Sequence, residues 1–247
     1  MNKHGAGKQS APDPRPQGGH GNHWQAVAGA ADRREFGERA LAEVLLGSGD
    51  PLVRGNVALY TTSPRPLAAI GLVQGGTLLS GYPAAVGGHS YCVNLHEVQE
   101  WRNGYEAVLI GSLNGALVSF FDTHYAVNKD RYTVGAEYDF YLNAIAYMVD
   151  RPEDEPFTAA EGFAAALPFS LLDAGGEADD WQLLSYPLAV TPVSYYGAGL
   201  WQIETILYKP ALEVAIYLYA NDEIMDHQPM VGEPIVANLW LQGYLKE

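Results

Sequence analysis

Apolar and aromatic residues occur along the chain in short runs that alternate with polar residues and end at glycine, proline or asparagine. This period of two is typical of half-buried β-strands. Two Asn-Gly pairs, Asn103-Gly104 and Asn114-Gly115, separate three such runs. Asn-Gly supplies the two positive φ angles of a type I′ hairpin turn. The pattern therefore predicts a three-stranded antiparallel meander over residues 89–101, 105–112 and 116–121.

Strand-like runs continue on both sides of this meander. They cover residues 56–60, 67–74, 77–80, 137–149, 182–190, 200–208, 212–219 and 234–245. Residues 150–180 interrupt them with prolines, a Gly-Gly pair and nine acidic residues against one arginine. We interpret this stretch as an acidic connector with one short helix over residues 158–167.

The prediction is an all-β fold with minor α content, built from antiparallel barrel-like or sandwich-like units at residues 50–149 and 181–247. An OB-like barrel is the specific expectation, because a long first strand that leads into a meander suits that topology. The two units could be a duplication, since Val134-Gly135 and Val231-Gly232 precede strands of similar length. They could also close into one larger sheet system.

The N-terminal region lacks a strand pattern. Residues 1–23 are rich in Gly, Pro, Gln and His without hydrophobic periodicity, which predicts a disordered tail extending to residue 31. Phe36, Ala40 and Val44 then recur at helical spacing, which predicts a helix within residues 32–49. Asp32 is a suitable N-cap for it.

Composition narrows the range of partners. The 247 residues include 29 acidic and 14 basic side chains, which gives a formal net charge of −15. Such a charge opposes a phosphate backbone, so it disfavours general nucleic-acid binding. The single cysteine excludes an internal disulfide or a cysteine-based zinc cluster, and we expect Cys92 to be a small buried side chain. We expect no metal and no cofactor.

The same analysis predicts the cellular location. No apolar run approaches the ~18–20 residues of a membrane span, and the N-terminus lacks the apolar core of a secretory signal. We therefore expect a cytoplasmic protein without a membrane segment.

The densest polar cluster lies in residues 121–132, between two predicted strands. Asp122 and His124 fall on one side of an extended segment, where a carboxylate could orient the imidazole, and Asp130 is a nearby carboxylate. These three residues are the candidates for metal-assisted or acid–base catalysis. In the alternative interpretation, Asp122 and Asn128 cap turns and the remaining charges form a solvated loop.

Two further groups are candidates for binding. Tyr195 and Tyr196, beside Gly197, could form an exposed recognition loop, or they could fold back onto the protein. Arg102, Lys129 and Arg131 could form a basic patch if the fold collects them.

The favoured function is a non-catalytic binding or protein-interaction module whose partner is another protein. It is favoured because the sequence contains no nucleophile elbow, phosphate loop or dinucleotide fingerprint. One alternative is an enzyme with its site in the 121–132 loop. The other is an OB-type single-stranded nucleic-acid binder that stacks bases on tyrosines, and the acidic net charge counts against it.

Overall fold

The computed structural model describes residues 13–20, 23–29, 33–47, 49–63, 66–152, 164–168, 177–208, 213–225 and 227–247. Within these residues the helices are α1 (His23–Ala28), α2 (Arg33–Gly47) and α3 (Tyr125–Asn128). The strands are β1 (Leu52–Arg54), β2 (Val57–Thr61), β3 (Leu67–Gln74), β4 (Thr77–Ala85), β5 (His89–Glu100), β6 (Ala107–Leu113), β7 (Ala116–Asp122), β8 (Glu137–Asp150), β9 (Ala165–Pro168), β10 (Asp180–Ser185), β11 (Pro187–Tyr195), β12 (Ala198–Tyr208), β13 (Val214–Asn221) and β14 (Ile235–Leu245). The fold is all-β with minor α content, as predicted.

Five strands close into a barrel. The meander β5–β6–β7 is antiparallel, and β8 pairs with β5 in antiparallel fashion. The last strand, β14, completes the ring because it pairs in parallel with β7 and antiparallel with β8. The barrel has the OB-type arrangement. Its first strand, β5, is long, the small helix α3 lies between its third and fourth strands, β7 and β8, and its fifth strand, β14, is parallel to β7.

The strands between β8 and β14 extend this barrel rather than forming a separate sheet. β8 is 14 residues long, and beyond its pairing with β5 it pairs with β13, which continues to β12 and β11. On the other side β14 pairs with β10, which continues to β9. Strands from both predicted units are therefore hydrogen-bonded within one ten-stranded sheet.

Alternating side chains fill the barrel. Along β8, Phe140, Leu142 and Ala144 are fully buried in the main core, as the strand pattern predicted. Gly243 on β14 allows close packing, because a Cβ there would lie 2.7 Å from the Phe120 ring. The described side chains therefore pack closely at this point of the barrel interior.

A second, four-stranded sheet of β1 to β4 covers part of the outer barrel wall. Gln242 joins the two layers, because its side-chain oxygen accepts the Ala85 N–H (3.1 Å) and its amide donates to the Pro83 carbonyl (3.0 Å). The Tyr82 hydroxyl adds a hydrogen bond to the Thr123 carbonyl at 2.9 Å. Apolar residues of this sheet, α1 and the outer wall form a second core between the layers.

The N-terminal region differs from the prediction. Helix α2 has the predicted buried face of Phe36, Ala40 and Val44, whereas its predicted cap Asp32 lies outside the described residues. The prediction of disorder to residue 31 is wrong for residues 13–20 and 23–29, which pack against the barrel. Helix α1 buries Val27 fully, and the Trp24 indole donates to the Gly81 carbonyl at 2.9 Å.

Two local predictions also change. The Asn114-Gly115 turn has the predicted positive φ angles of 52° and 83°, but at the other pair only Gly104 has a positive φ. Asn103 instead accepts the backbone N–H groups of Tyr105 and Glu106, so residues 101–106 form a longer loop. The predicted helix over residues 158–167 lies mostly outside the described residues. Its last residues, from Ala165, belong to strand β9 instead, because they pair with the edge of β10.

Two sequence-based expectations concern the surface. Cys92 is exposed, not buried, because it falls on the solvent side of β5. Across the described parts of the chain, no helix combines the length and the apolar character needed to cross a bilayer.

The Asn114-Gly115 turn provides a test of the hairpin formed by β6 and β7. We expect Gly115→Val to destabilise the protein by about 1–3 kcal/mol, because a β-branched residue resists a positive φ. Gly115→Asn is the matched control at the same position and should cost much less, since asparagine tolerates the left-handed region. Urea unfolding would measure both, and equal stability of the Val and Asn variants would contradict the turn.

Candidate functional site

The carboxylate of Asp122 is occupied by local hydrogen bonds. At the end of β7 it is 1% exposed; one oxygen accepts the His124 backbone N–H (2.9 Å) and the other accepts the Tyr132 hydroxyl (2.5 Å). Burial raises the pKa of Asp122 to about 7, although these two hydrogen bonds oppose the rise. The side chain therefore organises the turn between β7 and α3.

The imidazole of His124 does not meet the Asp122 carboxylate. Its Nδ1 lies 2.9 Å from the Thr123 hydroxyl, its ring packs on Tyr244, and burial lowers its pKa to about 4. His124, Tyr141 and Tyr244 line a cleft of about 340 Å³. Asp130 is exposed and forms an ion pair with Arg54. The structure thus connects Asp122 to His124 only through a backbone hydrogen bond and leaves Asp130 apart.

The candidate tyrosines fold back onto the protein. Tyr195 is 1% exposed within the second core. Tyr196 and Gly197, with φ angles of 51° and 90°, form the turn between β11 and β12. The Tyr196 ring packs on Phe36, and the Arg39 guanidinium lies 5.7 Å from its centroid.

Each of the three candidate basic residues has a different set of contacts. Arg131 contacts Asn128 (3.2 Å) and lies 4.0 Å from the Glu247 carboxylate. The Lys129 ammonium contacts Glu100 at 3.4 Å. The Arg102 side chain donates to a backbone carbonyl of the N-terminal segment. This segment and the side chains around it form a further candidate site.

Residues 13–20, which we call the strap, lie across the loop between β5 and β6 without regular secondary structure. The Arg102 backbone N–H donates to the Pro16 carbonyl (3.0 Å), and the Arg102 side chain donates to the Arg15 carbonyl (2.9 Å). The Arg15 guanidinium is 2.9 Å from the Glu100 carboxylate. The strap is therefore held by both its backbone and its charge.

A glycine brings the strap close to an aromatic ring. Gly18 has a φ of +60°, and a Cβ built there would lie 2.0 Å from Cδ2 of Trp101. The neighbouring Gly19 has no atom within 4 Å of such a Cβ. Only glycine fits at position 18, because the backbone rests directly on the indole.

The strap ends with the His20 imidazole inside a ring of aromatic side chains, which we call the cage. The ring centroids lie 4.4 Å from His20 for Tyr82, 5.1 Å for Phe121, 5.2 Å for Trp101 and 5.9 Å for Trp240. Cations are attracted to aromatic rings at centroid distances within about 6 Å. The cage is therefore suited to a positively charged group.

A buried carboxylate completes the cage. Glu106 is 3% exposed and contacts Nε2 of His20. It also accepts the Ser80 hydroxyl at 2.7 Å and the Asn103 amide. Burial alone would raise the pKa of Glu106, but the hydrogen bonds and the charge of His20 outweigh it and lower the pKa. The cage thus holds an ionised carboxylate almost out of solvent.

His23 and Trp240 form the wall of the site opposite Glu106. The His23 ring stacks on Trp240 with centroids 3.5 Å apart, and its Nδ1 lies 3.3 Å from Nδ1 of His20. The Trp240 indole donates to Asp179 at 2.6 Å, while the second oxygen of Asp179 has no hydrogen-bond partner among the described residues. Burial first, and then the neighbouring Asp180, raise the pKa of Asp179 to about 7.

Sequence reasoning missed this site. His20 and His23 fall in a Gly-rich segment, Asn103 falls in the predicted hairpin turn, and Glu106 falls in the predicted strand over residues 105–112. The available signal was Trp24 together with the Pro-Arg-Pro segment at residues 14–16, which are unusual in a purely flexible tail.

Within the described residues no group of three or more His, Cys, Asp or Glu side chains is arranged to hold a metal ion. The strap's contacts are an ion pair, backbone hydrogen bonds, a glycine–indole contact and an imidazole among aromatic rings. Comparisons of the chain with protein-family models, curated proteins and solved structures find no match.

Loss of strap docking should destabilise the protein. We expect Gly18→Val to lower the free energy of unfolding by about 2 kcal/mol, or roughly 4–8 °C in melting temperature, because Trp101 excludes a side chain there and the buried Glu106 loses its contact with His20. Gly19→Val is the matched control and should stay within about 1 °C of the parent. Thermal unfolding followed by tryptophan fluorescence would show the difference, and equal melting temperatures would contradict docking of the strap.

Asp179 should make stability fall as the pH rises. Because its pKa is raised to about 7 in the folded state, the unfolded chain releases this proton between about pH 4 and 7 while the folded protein keeps it. We expect Asp179→Asn, which stays neutral, to raise the melting temperature at pH 8 and to have little effect at pH 4. The exposed Glu137→Gln variant should follow the parent. A parallel pH profile for Asp179→Asn would exclude a neutral Asp179.

Proposed function

We propose that this protein is a non-catalytic protein-interaction module that binds an extended segment of a partner protein. The observation that carries the proposal is the strap, which is bound across the barrel as a peptide would be. We call the surface beneath it the strap groove, formed by Glu100, Trp101, Arg102, Glu106 and the cage. In this proposal the partner segment takes the place of the strap.

Charge supports a basic partner segment. The strap groove contains two carboxylates, Glu100 and Glu106, and each is paired with a strap side chain. The chain as a whole has a net charge of −15, which steers basic partners toward it. The preferred segment therefore has positive side chains at positions that match Arg15 and His20.

The strap acts as an intramolecular competitor in this proposal. A tethered segment has an effective concentration of about a millimolar when its linker is short and flexible. A partner segment must overcome this concentration, so binding is weak until the strap is released or until the partner makes additional contacts. The strap thereby restricts access to the groove.

The alternative functions have less support. A catalytic role for Asp122, His124 and Asp130 requires side chains that act together, whereas the Asp122 carboxylate accepts the backbone N–H of His124 and Asp130 is paired with Arg54. Base stacking on Tyr195 requires a ring that is exposed, and Tyr195 is 1% exposed. The net charge also opposes a phosphate backbone.

The test adds the strap to the protein as a separate peptide. A fluorescently labelled peptide with the sequence of residues 13–20 is titrated with full-length Gly18→Val, whose own strap is displaced, and binding is measured by anisotropy. We expect saturable binding at least about tenfold tighter than to the parent or to Gly19→Val, because those two chains retain the competing strap.

Two outcomes would count against the proposal. If the peptide binds Gly18→Val no better than the parent while limited proteolysis shows that the strap is released, the groove does not bind segments in trans. If a scrambled peptide of the same composition binds equally well, the contact is only electrostatic.

A further inference from the structure

Both nitrogens of His20 have partners in the cage. Nε2 contacts the Glu106 carboxylate, and Nδ1 lies 3.3 Å from Nδ1 of His23. An ionised carboxylate can only accept hydrogen bonds, so Nε2 of His20 is a donor. The cage therefore contacts its occupant at two points on opposite sides of a flat ring.

The charge of the cage favours an occupant that is a cation. Glu106 is 3% exposed, and its protein partners, Ser80 and Asn103, are neutral. The Tyr82 and Trp101 ring centroids lie 4.4 Å and 5.2 Å from the His20 ring, within the distance at which aromatic rings stabilise a positive charge. A neutral occupant would leave the buried carboxylate without a counter-charge, which is strongly unfavourable.

His23 is suited to accept the second hydrogen bond. Burial first, and then the proximity of His20, lower the pKa of His23 well below its ordinary range, so it is neutral at physiological pH. A neutral imidazole has one ring nitrogen that accepts a hydrogen bond. With Nδ1 of His23 in that role, a protonated imidazole in the cage donates one N–H to Glu106 and the other to His23.

Resting on the function proposed above, we propose that the cage is a recognition pocket for a histidine imidazolium of the partner segment. The strap then defines the ligand class: an extended segment with an arginine, a glycine three residues later and a histidine two residues after the glycine, as in Arg15, Gly18 and His20. Glu100 binds the arginine, the Trp101 face selects glycine, and the cage selects histidine.

Other cations fit this pocket less well. A lysine ammonium can donate to Glu106, but it lacks a flat ring and a second donor on the opposite side. A quaternary ammonium has no N–H, so it leaves the carboxylate without a hydrogen bond. The two-point contact therefore distinguishes imidazolium from the cations that aromatic cages more often bind.

The experiment changes one nitrogen of the ligand at a time. Labelled peptides of residues 13–20 carry histidine, Nε2-methylhistidine, Nδ1-methylhistidine or lysine at position 20 and are titrated with full-length Gly18→Val. We expect the Nε2-methyl and lysine peptides to bind at least about tenfold more weakly than the histidine peptide. The Nδ1-methyl peptide should lose about threefold to tenfold, because its contact with His23 involves a neutral acceptor.

A second measurement does not depend on the peptide. Full-length His20→Gly leaves the cage without its ring, and we expect free imidazole to raise its melting temperature in a saturable way. 1-Methylimidazole, which carries only one N–H when protonated, should have a clearly smaller effect. The parent protein should respond to neither compound, because its own His20 fills the cage.

The results separate this inference from the proposed function. If all four peptides bind Gly18→Val equally, the groove binds segments but the cage does not select histidine, and the inference is overturned. If none binds, the proposed function itself fails. Equal stabilisation of His20→Gly by imidazole and 1-methylimidazole would overturn the two-donor contact whatever the peptides do.

Discussion

Closure of the barrel by β14 is the constraint on which the rest of the structure depends. This strand lies between β7 and β8 and forms ten residue pairs with β8. Without it the meander would be an open sheet with two free edges, and the apolar residues of β8 would lack their partner. Closure also determines what the outer wall presents, because every second side chain of β14 points away from the barrel interior.

The outward side chains of β14 position the remaining layers. Gln242 hydrogen-bonds to the backbone of β4, and the Tyr244 hydroxyl accepts the Gly87 N–H at 2.7 Å. Trp240 supports the His23 ring and forms one side of the cage. Polar side chains on the outer wall would be costly if buried without partners, so the second sheet has to satisfy them as it covers the wall.

Burial changes how strongly a carboxylate of the strap groove can interact with its partner. A surface carboxylate contributes little, because water screens it. Glu106 is removed from water by the aromatic rings and kept ionised by its hydrogen bonds, so its interaction with a cation is strong and depends on geometry. In the described structure the His20 imidazole of the strap contacts Glu106, and the groove is therefore both formed and occupied by the same chain.

Local pattern by itself determined most of the strands and the helix α2 and indicated an all-β barrel, because alternation, helical spacing and Asn114-Gly115 act over a few neighbouring residues. That β14 closes this barrel was decided by the tertiary structure. The pairing of both units into one sheet required the tertiary structure, as did the separation of Asp130 from Asp122 and the burial of Tyr195. The strap shows the limit most clearly. Its sequence has too little apolar surface to predict order. In the structure, however, His20 contacts Glu106, which is 86 residues away in the sequence, and it packs against aromatic rings that include Tyr82 and Trp240. Such an interaction has no local period, because its partners meet only after distant strands have closed the barrel.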